Sequence, residues 1–243
     1  MLGKVAASTL RKRRSVAVLL ISLLVMVLQS LPFFQKQSDV TPAQTDVLSD
    51  TAEGSELASD VLERLLVKGR APKTGYARDQ FSDGWALVGG CDVRNIILKR
   101  SLTELKLADD GCVVMSGILD DPYTGEVINF VRGSSTSDAI QIDHVVALSD
   151  AWQKGAQNVS ADERLRLAND PLNLLAVDGP ANQEKGDADS ASWLPPNKSF
   201  RCAYVARQVA VKSKYSLWVT EAEKSAMKRV LNGCGEQRVP IEK

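Results

Sequence analysis

Gln141-Ile142-Asp143-His144-Val145-Val146-Ala147-Leu148 decides how this chain is read. Apolar residues flank an acid and a histidine, and the stretch reads as a buried strand. Ionisable side chains rarely sit at the centre of such a strand without a partner or a task. His144 is the only histidine among 243 residues. If the protein needs a side chain that takes a proton near pH 7, His144 is the natural candidate.

Upstream of this stretch, Cys112–Leu119 and Glu126–Val131 read as two strands. Asp121-Pro122-Tyr123-Thr124-Gly125 joins them: Pro presets φ, Gly accepts positive φ, and the segment is a hairpin signal. Further back, Ala58, Val61, Leu62, Leu65 and Leu66 fall on one helical face that Gly69 ends. Residues 72–83 read as irregular, with Tyr76, Phe81 and Trp85 available to fold back onto a core. Asp92 is placed to cap a short helix burying Val93, Ile96 and Ile97.

Downstream, Ser149–Gln157 reads as a helix, and Ser160 with Glu163 forms a capping box opening another. Asn169-Asp170-Pro171 stops it. Leu172–Val177 reads as a short strand carrying Asn173, Asp178-Gly179-Pro180 as a turn, and 181–186 as a helix with Pro at its first turn. Lys198–Lys214 and Thr220–Leu231 read as two more helices, the second capped by Thr220 and Glu223.

Net charge is zero but unevenly placed. Residues 1–34 hold five Lys/Arg and no acid, and residues 35–62 hold six acids and one Lys. The remaining body is neutral, with one basic stretch, Lys198–Lys214, of five bases and no acid. That distribution argues against a tight, non-specific nucleic-acid binder and suits an enzyme that touches a polyanion briefly. Arg11-Lys12-Arg13-Arg14 precede the apolar run Val16–Leu28, which continues with two interruptions to Phe34. Residues 1–34 therefore read as an export segment, either a cleaved signal peptide or a retained N-terminal anchor. Residues 35–55, poor in large apolar side chains, read as a disordered linker, and 56–243 as the folded domain. The expected location is extracellular, secreted or held on the outer face of the membrane.

Four cysteines, Cys91, Cys112, Cys202 and Cys234, follow the export segment, with no C-x-x-C pair. An even number in an exported chain reads as two disulfides rather than a zinc cluster. Three pairings are possible, and sequence proximity favours Cys91–Cys112 with Cys202–Cys234.

The order is a strand with Asp143-His144, an insertion, a strand with Asn173, then a helix with Asn182 and Lys185. It resembles the ββα-metal finger of HNH nucleases. Asp121–Gly125, Phe130–Gly133, Ala168–Leu174, Asn182-x-x-Lys185-Gly186 and Trp193-Leu194-Pro195-Pro196 extend the match over about residues 75–234. As a set they resemble a family of exported bacterial HNH-type proteins, similar to the C-terminal domain of GmrSD-type restriction endonucleases. The resemblance implies an α+β fold: a ββα-metal core with added helices and a β-hairpin, stapled by disulfides.

It implies an endonuclease acting on DNA, with RNA as a further substrate, through Mg²⁺ or Mn²⁺. His144 would be the general base, Asp143 and Asn182 the metal ligands. Asn173 would orient the histidine and Lys185 would reach a phosphate. Ala147 stands where many relatives carry proline, and Asn182 where typical HNH proteins carry a histidine ligand. Arg132, with Arg94, and Lys198 and Arg201 of the basic stretch are candidate nucleic-acid contacts; structural ion pairs and an amphipathic helix are the competing readings. No protein partner is evident. A non-catalytic exported module binding nucleic acid or cell envelope on the same fold is the alternative function.

Overall fold

A computed structural model of the chain describes residues 56–241. The expected export segment and linker lie outside the described residues.

Helix α1 (Ala58–Arg64) buries Ala58, Val61 and Leu62. The expected apolar face outruns this helix: Leu65 is extended but still buried, and Leu66 is exposed. The backbone leaves the helix because the Leu66 carbonyl accepts from Val219 N–H at 3.0 Å. Strands β1 (Leu87–Val88) and β2 (Cys91–Asp92) then form a small hairpin through Gly89 and Gly90, both at positive φ. The Asp92 carboxylate accepts from Asn95 N–H at 2.7 Å and so starts α2 (Val93–Ser101).

Strands β3 (Thr103–Leu107), β4 (Val114–Asp120) and β5 (Val127–Val131) form an antiparallel sheet in that order. The β4–β5 connection is the expected Asp121–Gly125 turn. Strand β3 is exposed at every residue, although Leu105 and Leu107 alternate with Glu104 and Lys106 along it.

Strand β6 (Ile140–His144) pairs antiparallel with β7 (Leu174–Asp178), His144 facing Leu174. Between them lie α3 (Leu148–Gln153), α4 (Ala161–Asn169) and a 3-10 turn at Pro171–Asn173. Helix α5 (Gly179–Lys185) follows β7 and packs across both strands. Helices α6 (Arg201–Lys214) and α7 (Glu221–Leu231) complete the unit. The architecture is mixed α+β with small sheets and two disulfides, Cys91–Cys112 and Cys202–Cys234. This is the pairing that sequence proximity favours.

Several boundaries differ from the sequence reading, two of them beside His144. The strand expected through Leu148 stops at His144; Val145 and Val146 are buried but turn away, the Val145 N–H donating to the Asn173 carbonyl at 2.8 Å. Asn173 lies in the 3-10 turn, not on the facing strand. Pro171 favours a helical turn, and the Asp170 carboxylate caps it through Leu172 N–H at 2.9 Å.

The core has three parts. α1, α6 and α7 pack Val61, Leu62, Val205, Val209 and Met227 together with Tyr123 and Tyr204. Phe81, Trp152, Leu167 and Leu217 form a second cluster around α3 and α4. The third joins α2 to both sheets through Ile97, Leu98, Val114, Phe130, Ile140 and Leu174. A buried charge network ties α3, α6, α7 and the segment after α5. Lys154 Nζ meets Asp150, Asp189 and Glu223 at 2.6–2.7 Å, and Lys212 meets Asp150 and Glu223. Partners on all sides are what make such burial tolerable.

Gly179 opens α5 at a close crossing. A Cβ there would fall 2.0 Å from the Asp138 carbonyl oxygen. Only glycine lets the segment before β6 lie directly on the start of α5.

Candidate active-site cleft

The sole histidine ends β6, at the base of a cleft of about 390 Å³. Its walls are β6, the segment 76–85, α2 and the end of α5. His144 is 6% exposed. Its ring is stacked on Trp85, centroids 5.8 Å apart and planes 7° from parallel. His144 Nε2 lies 2.8 Å from the Ala168 carbonyl oxygen. A carbonyl only accepts, so Nε2 carries the proton and donates, and Nδ1 keeps the basic lone pair. Burial pushes the imidazole down to about 3. His144 is therefore neutral at neutral pH.

Asn173 fastens the turn beyond His144. Its Oδ1 accepts from Val146 N–H at 2.8 Å and its Nδ2 donates to the Val146 and Leu167 carbonyls. Asn173 is wholly buried, so each bond is made without competing water. Gln208 of α6 adds a bond to the Val145 carbonyl at 2.9 Å. The backbone just beyond His144 is thus held from two elements, the 3-10 turn and α6.

Asp143 is as buried as His144. Its Oδ1 accepts from Lys185 Nζ at 2.9 Å, and its Oδ2 accepts the Tyr123 hydroxyl. Burial raises its pKa, while Lys185 and Tyr123 pull it back. Lys185 is 1% exposed and also donates to the His144 carbonyl at 2.9 Å. Lys185, expected to reach a phosphate, directs two of its three N–H groups to β6, at Asp143 and the His144 carbonyl. Helical spacing did place Lys185 one turn after Asn182, on the same face. It did not show that this face is closed over by Asp143.

The hairpin turn explains Tyr123. The Asp121 carboxylate accepts from Thr124 and from Asp178 N–H, pinning the turn to the end of β7. Tyr123 is thereby driven fully into the core beneath Asp143.

Asn182 Nδ2 donates to Gln141 Oε1 at 2.8 Å, which leaves the amide oxygen of Asn182 as an acceptor at the cleft wall. Asp143 and Asn182 both line the cleft. Each carboxylate oxygen of Asp143 keeps a further lone pair. This donor set is all oxygen and suits a hard divalent cation that keeps several waters. Among the described residues no group of three or more His, Cys, Asp or Glu stands together as a metal cluster.

The cleft gathers residues that no motif announced. Arg78, Trp85 and Arg94 line it, with Tyr76, Ser149 and Asp187. Asp187 is held below the usual carboxylate range by Lys73, 3.0 Å away, and by Ser149. Arg94 donates to the carbonyls of Ser137 and Ile140, and burial followed by nearby Arg132 lowers its pKa. Both cleft acids are thus matched by a lysine. Among the described residues neither Arg78 nor Arg94 has a carboxylate at ion-pair distance. The aromatic residues of the irregular 72–85 segment were the one available signal.

The remaining expected contacts fall elsewhere. Arg132 braces β4 and α2, donating to the Val114 carbonyl and Asn95 Oδ1, each at 2.7 Å. That structural task removes it from the cleft. Lys198 sits exposed in a 3-10 turn, and Arg201 lines a separate recess.

Residues 92–230 match the C-terminal domain of GmrSD restriction endonucleases, and the chain belongs to that family. It is also 40% identical, over 179 residues, to an uncharacterized secreted protein of Arthroderma benhamiae (strain ATCC MYA-4681 / CBS 112371), covering 73% of this chain and 84% of the relative. That relative comes from a fungus, so the resemblance is not confined to bacteria. No solved structure matches significantly.

Proposed function

We propose that this protein is an exported, divalent-metal-dependent endonuclease that hydrolyses phosphodiester bonds in DNA, with RNA as a further substrate. The β6–β7–α5 unit is read as a ββα-metal core of the HNH type. One observation carries the reading: a buried, neutral histidine lies in a cleft that Arg78 and Arg94 also line, and among the described residues neither arginine has a carboxylate at ion-pair distance, Asp92 and Asp138 acting on Arg94 from farther off. Such a cleft attracts an anion, and its neutral histidine keeps a lone pair for a proton from water, with burial making it a weaker base than an exposed imidazole.

In this reading the scissile phosphate enters opposite Arg78 and Arg94. A water in line with the P–O3′ bond gives its proton to His144 Nδ1 as its oxygen attacks phosphorus. The P–O3′ bond breaks, leaving a 5′-phosphate, and the 3′ oxygen takes a proton from solvent. Ala168 keeps Nε2 protonated, so the ring can only accept at Nδ1. Asn173 holds the turn beside the ring, and Lys185 and Tyr123 hold Asp143. Asp143 and Asn182 would hold Mg²⁺ or Mn²⁺, which when bound stabilises negative charge on the phosphate oxygens.

An exported location is supported by the two disulfides, which persist in oxidising compartments, and by the secreted relative. Attachment to a membrane through residues 1–34 belongs to the same proposal. The competing reading, a non-catalytic binding module, draws on the Lys185–Asp143 ion pair, which already places a cation at the proposed metal ligand. Nicking of plasmid DNA that needs added metal and His144 supports the nuclease. DNA retention by a folded protein that never cuts supports the binding module.

A further inference from the structure

We infer that a second anion site lies outside the cleft, in a recess between segment 190–194 and helices α6 and α7. It takes a phosphodiester of a polynucleotide strand away from the scissile bond. The inference rests on the nuclease reading for its choice of ligand.

The recess has a volume of about 370 Å³ and is lined by Ser190, Ser192, Trp193, Leu194, Arg201 and Arg229, among others. Two guanidinium groups face it and no carboxylate does. Their helices give them no acid to pair with. One turn from Arg229 stand Ser225, Ala226, Asn232 and Gly233, and one turn from Arg201 stand Tyr204 and Val205. Arg201 is oriented by a bond from its Nε to the Pro195 carbonyl at 2.7 Å. Its two terminal nitrogens make no hydrogen bond to the described residues, and a guanidinium fixed at one nitrogen is well prepared for a bidentate phosphate contact.

The backbones that carry the two arginines are also stapled together. Cys202, next to Arg201, is bonded to Cys234, just beyond Arg229's helix, with Cα atoms 5.7 Å apart. The staple joins the start of α6 to the chain after α7, so the ligand need not bring the two helix ends together, although the exposed Arg229 side chain is ordered only on binding.

Trp193 makes the recess suit a nucleotide strand better than a free phosphate. It is half-buried and packs against Tyr123 and Tyr204, at 5.1 and 5.8 Å between centroids. A rigid indole beside two arginines is the pairing that single strands use, a base on the ring and phosphates on the cations. Trp193 also rests on the same Tyr123 whose hydroxyl donates to Asp143. The recess therefore backs onto the core beneath the cleft, and a strand crossing the domain can touch both. An otherwise neutral body leaves such local sites to supply the electrostatic hold.

The test is fluorescence anisotropy of a labelled single strand long enough to reach both sites, with the full oxidised chain in EDTA across a salt series. The full chain with Arg201→Ala and Arg229→Ala is compared with wild type, after circular dichroism shows both folded. The expected result is about tenfold weaker binding. The slope of log affinity against log salt should flatten by about 1.4, near 0.7 for each lost contact. Arg229→Lys, which keeps the charge, should retain most of the affinity. Unchanged affinity and slope in a folded double variant overturn the recess and leave the nuclease reading standing if wild type cuts DNA with metal. A wild type that loses affinity on the double substitution but never cuts supports the recess and removes the nuclease. Binding of inorganic phosphate without any binding of the strand overturns the site as assigned.

Discussion

Lys185 and Asp143 form an ion pair at 2.9 Å with the lysine side chain wholly removed from solvent. The pair joins α5 to β6 one residue before the histidine, so it sets where His144 sits. A buried pair contributes little net stability relative to a well-packed apolar pair, but removing one partner strands a charge. Lys185→Met is therefore expected to destabilise the fold by about 3–5 kcal/mol, read by urea unfolding. Lys185→Met with Asp143→Asn should recover much of that loss. A direct phosphate contact would instead leave stability unchanged and raise KM.

Tyr123 supplies the second bond to the same carboxylate. Tyr123→Phe removes one hydroxyl and leaves the packed ring. The expected cost is about 1.5–3 kcal/mol, as for hydrogen bonds to charged groups. Unfolding of this variant beside Tyr204→Phe checks it, because the Tyr204 hydroxyl bonds to neutral Gln208 and should cost less.

The histidine gives stability a pH dependence of definite sign. The unfolded imidazole binds a proton below its ordinary value of 6.5, the folded one only near 3. The unfolded state thus binds more protons between those values. The contribution is complete above pH 6.5 and is lost as pH falls towards 3. The stability difference between wild type and His144→Asn should shift against wild type on acidification, by at most about 1.4 kcal/mol per pH unit. Denaturation curves at several pH values test this. A pH-independent difference would show the ring to be solvated.

Gly179 marks the tightest crossing near the site. Gly179→Ala puts a methyl group 2.0 Å from the Asp138 carbonyl oxygen, so one of the two segments must move. A loss of roughly 1–3 kcal/mol is expected from overpacking. Activity should fall as well, because Asp138 and Gly179 flank the starts of β6 and α5. Thermal unfolding and a nicking assay on the same preparation measure both.

Much of the site lay in short-range sequence order. Asp143-His144, Asn173 and Asn182-x-x-Lys185 occur on successive elements, and the capping boxes at Ser160 and Thr220 announce their helices by local chemistry alone. Long-range closure was not legible. Arg78 and Trp85 reach the cleft from a segment with no hydrophobic period, held by Ala86 N–H to Asn169 Oδ1 at 2.9 Å, and Arg94 joins them from the helix that Asp92 caps. The burial of Lys185 depended on Tyr123 arriving from a distant hairpin. Arg132 reads as a free cation until Val114 and Asn95 fold against it.

The most direct measurement is plasmid nicking by the purified, oxidised protein with Mg²⁺ or Mn²⁺, with and without EDTA, beside His144→Ala shown to be folded. The account predicts metal-dependent nicking that leaves 5′-phosphate ends and is abolished in the variant. Full activity in folded His144→Ala, or no cleavage by folded wild type with either metal, would contradict it.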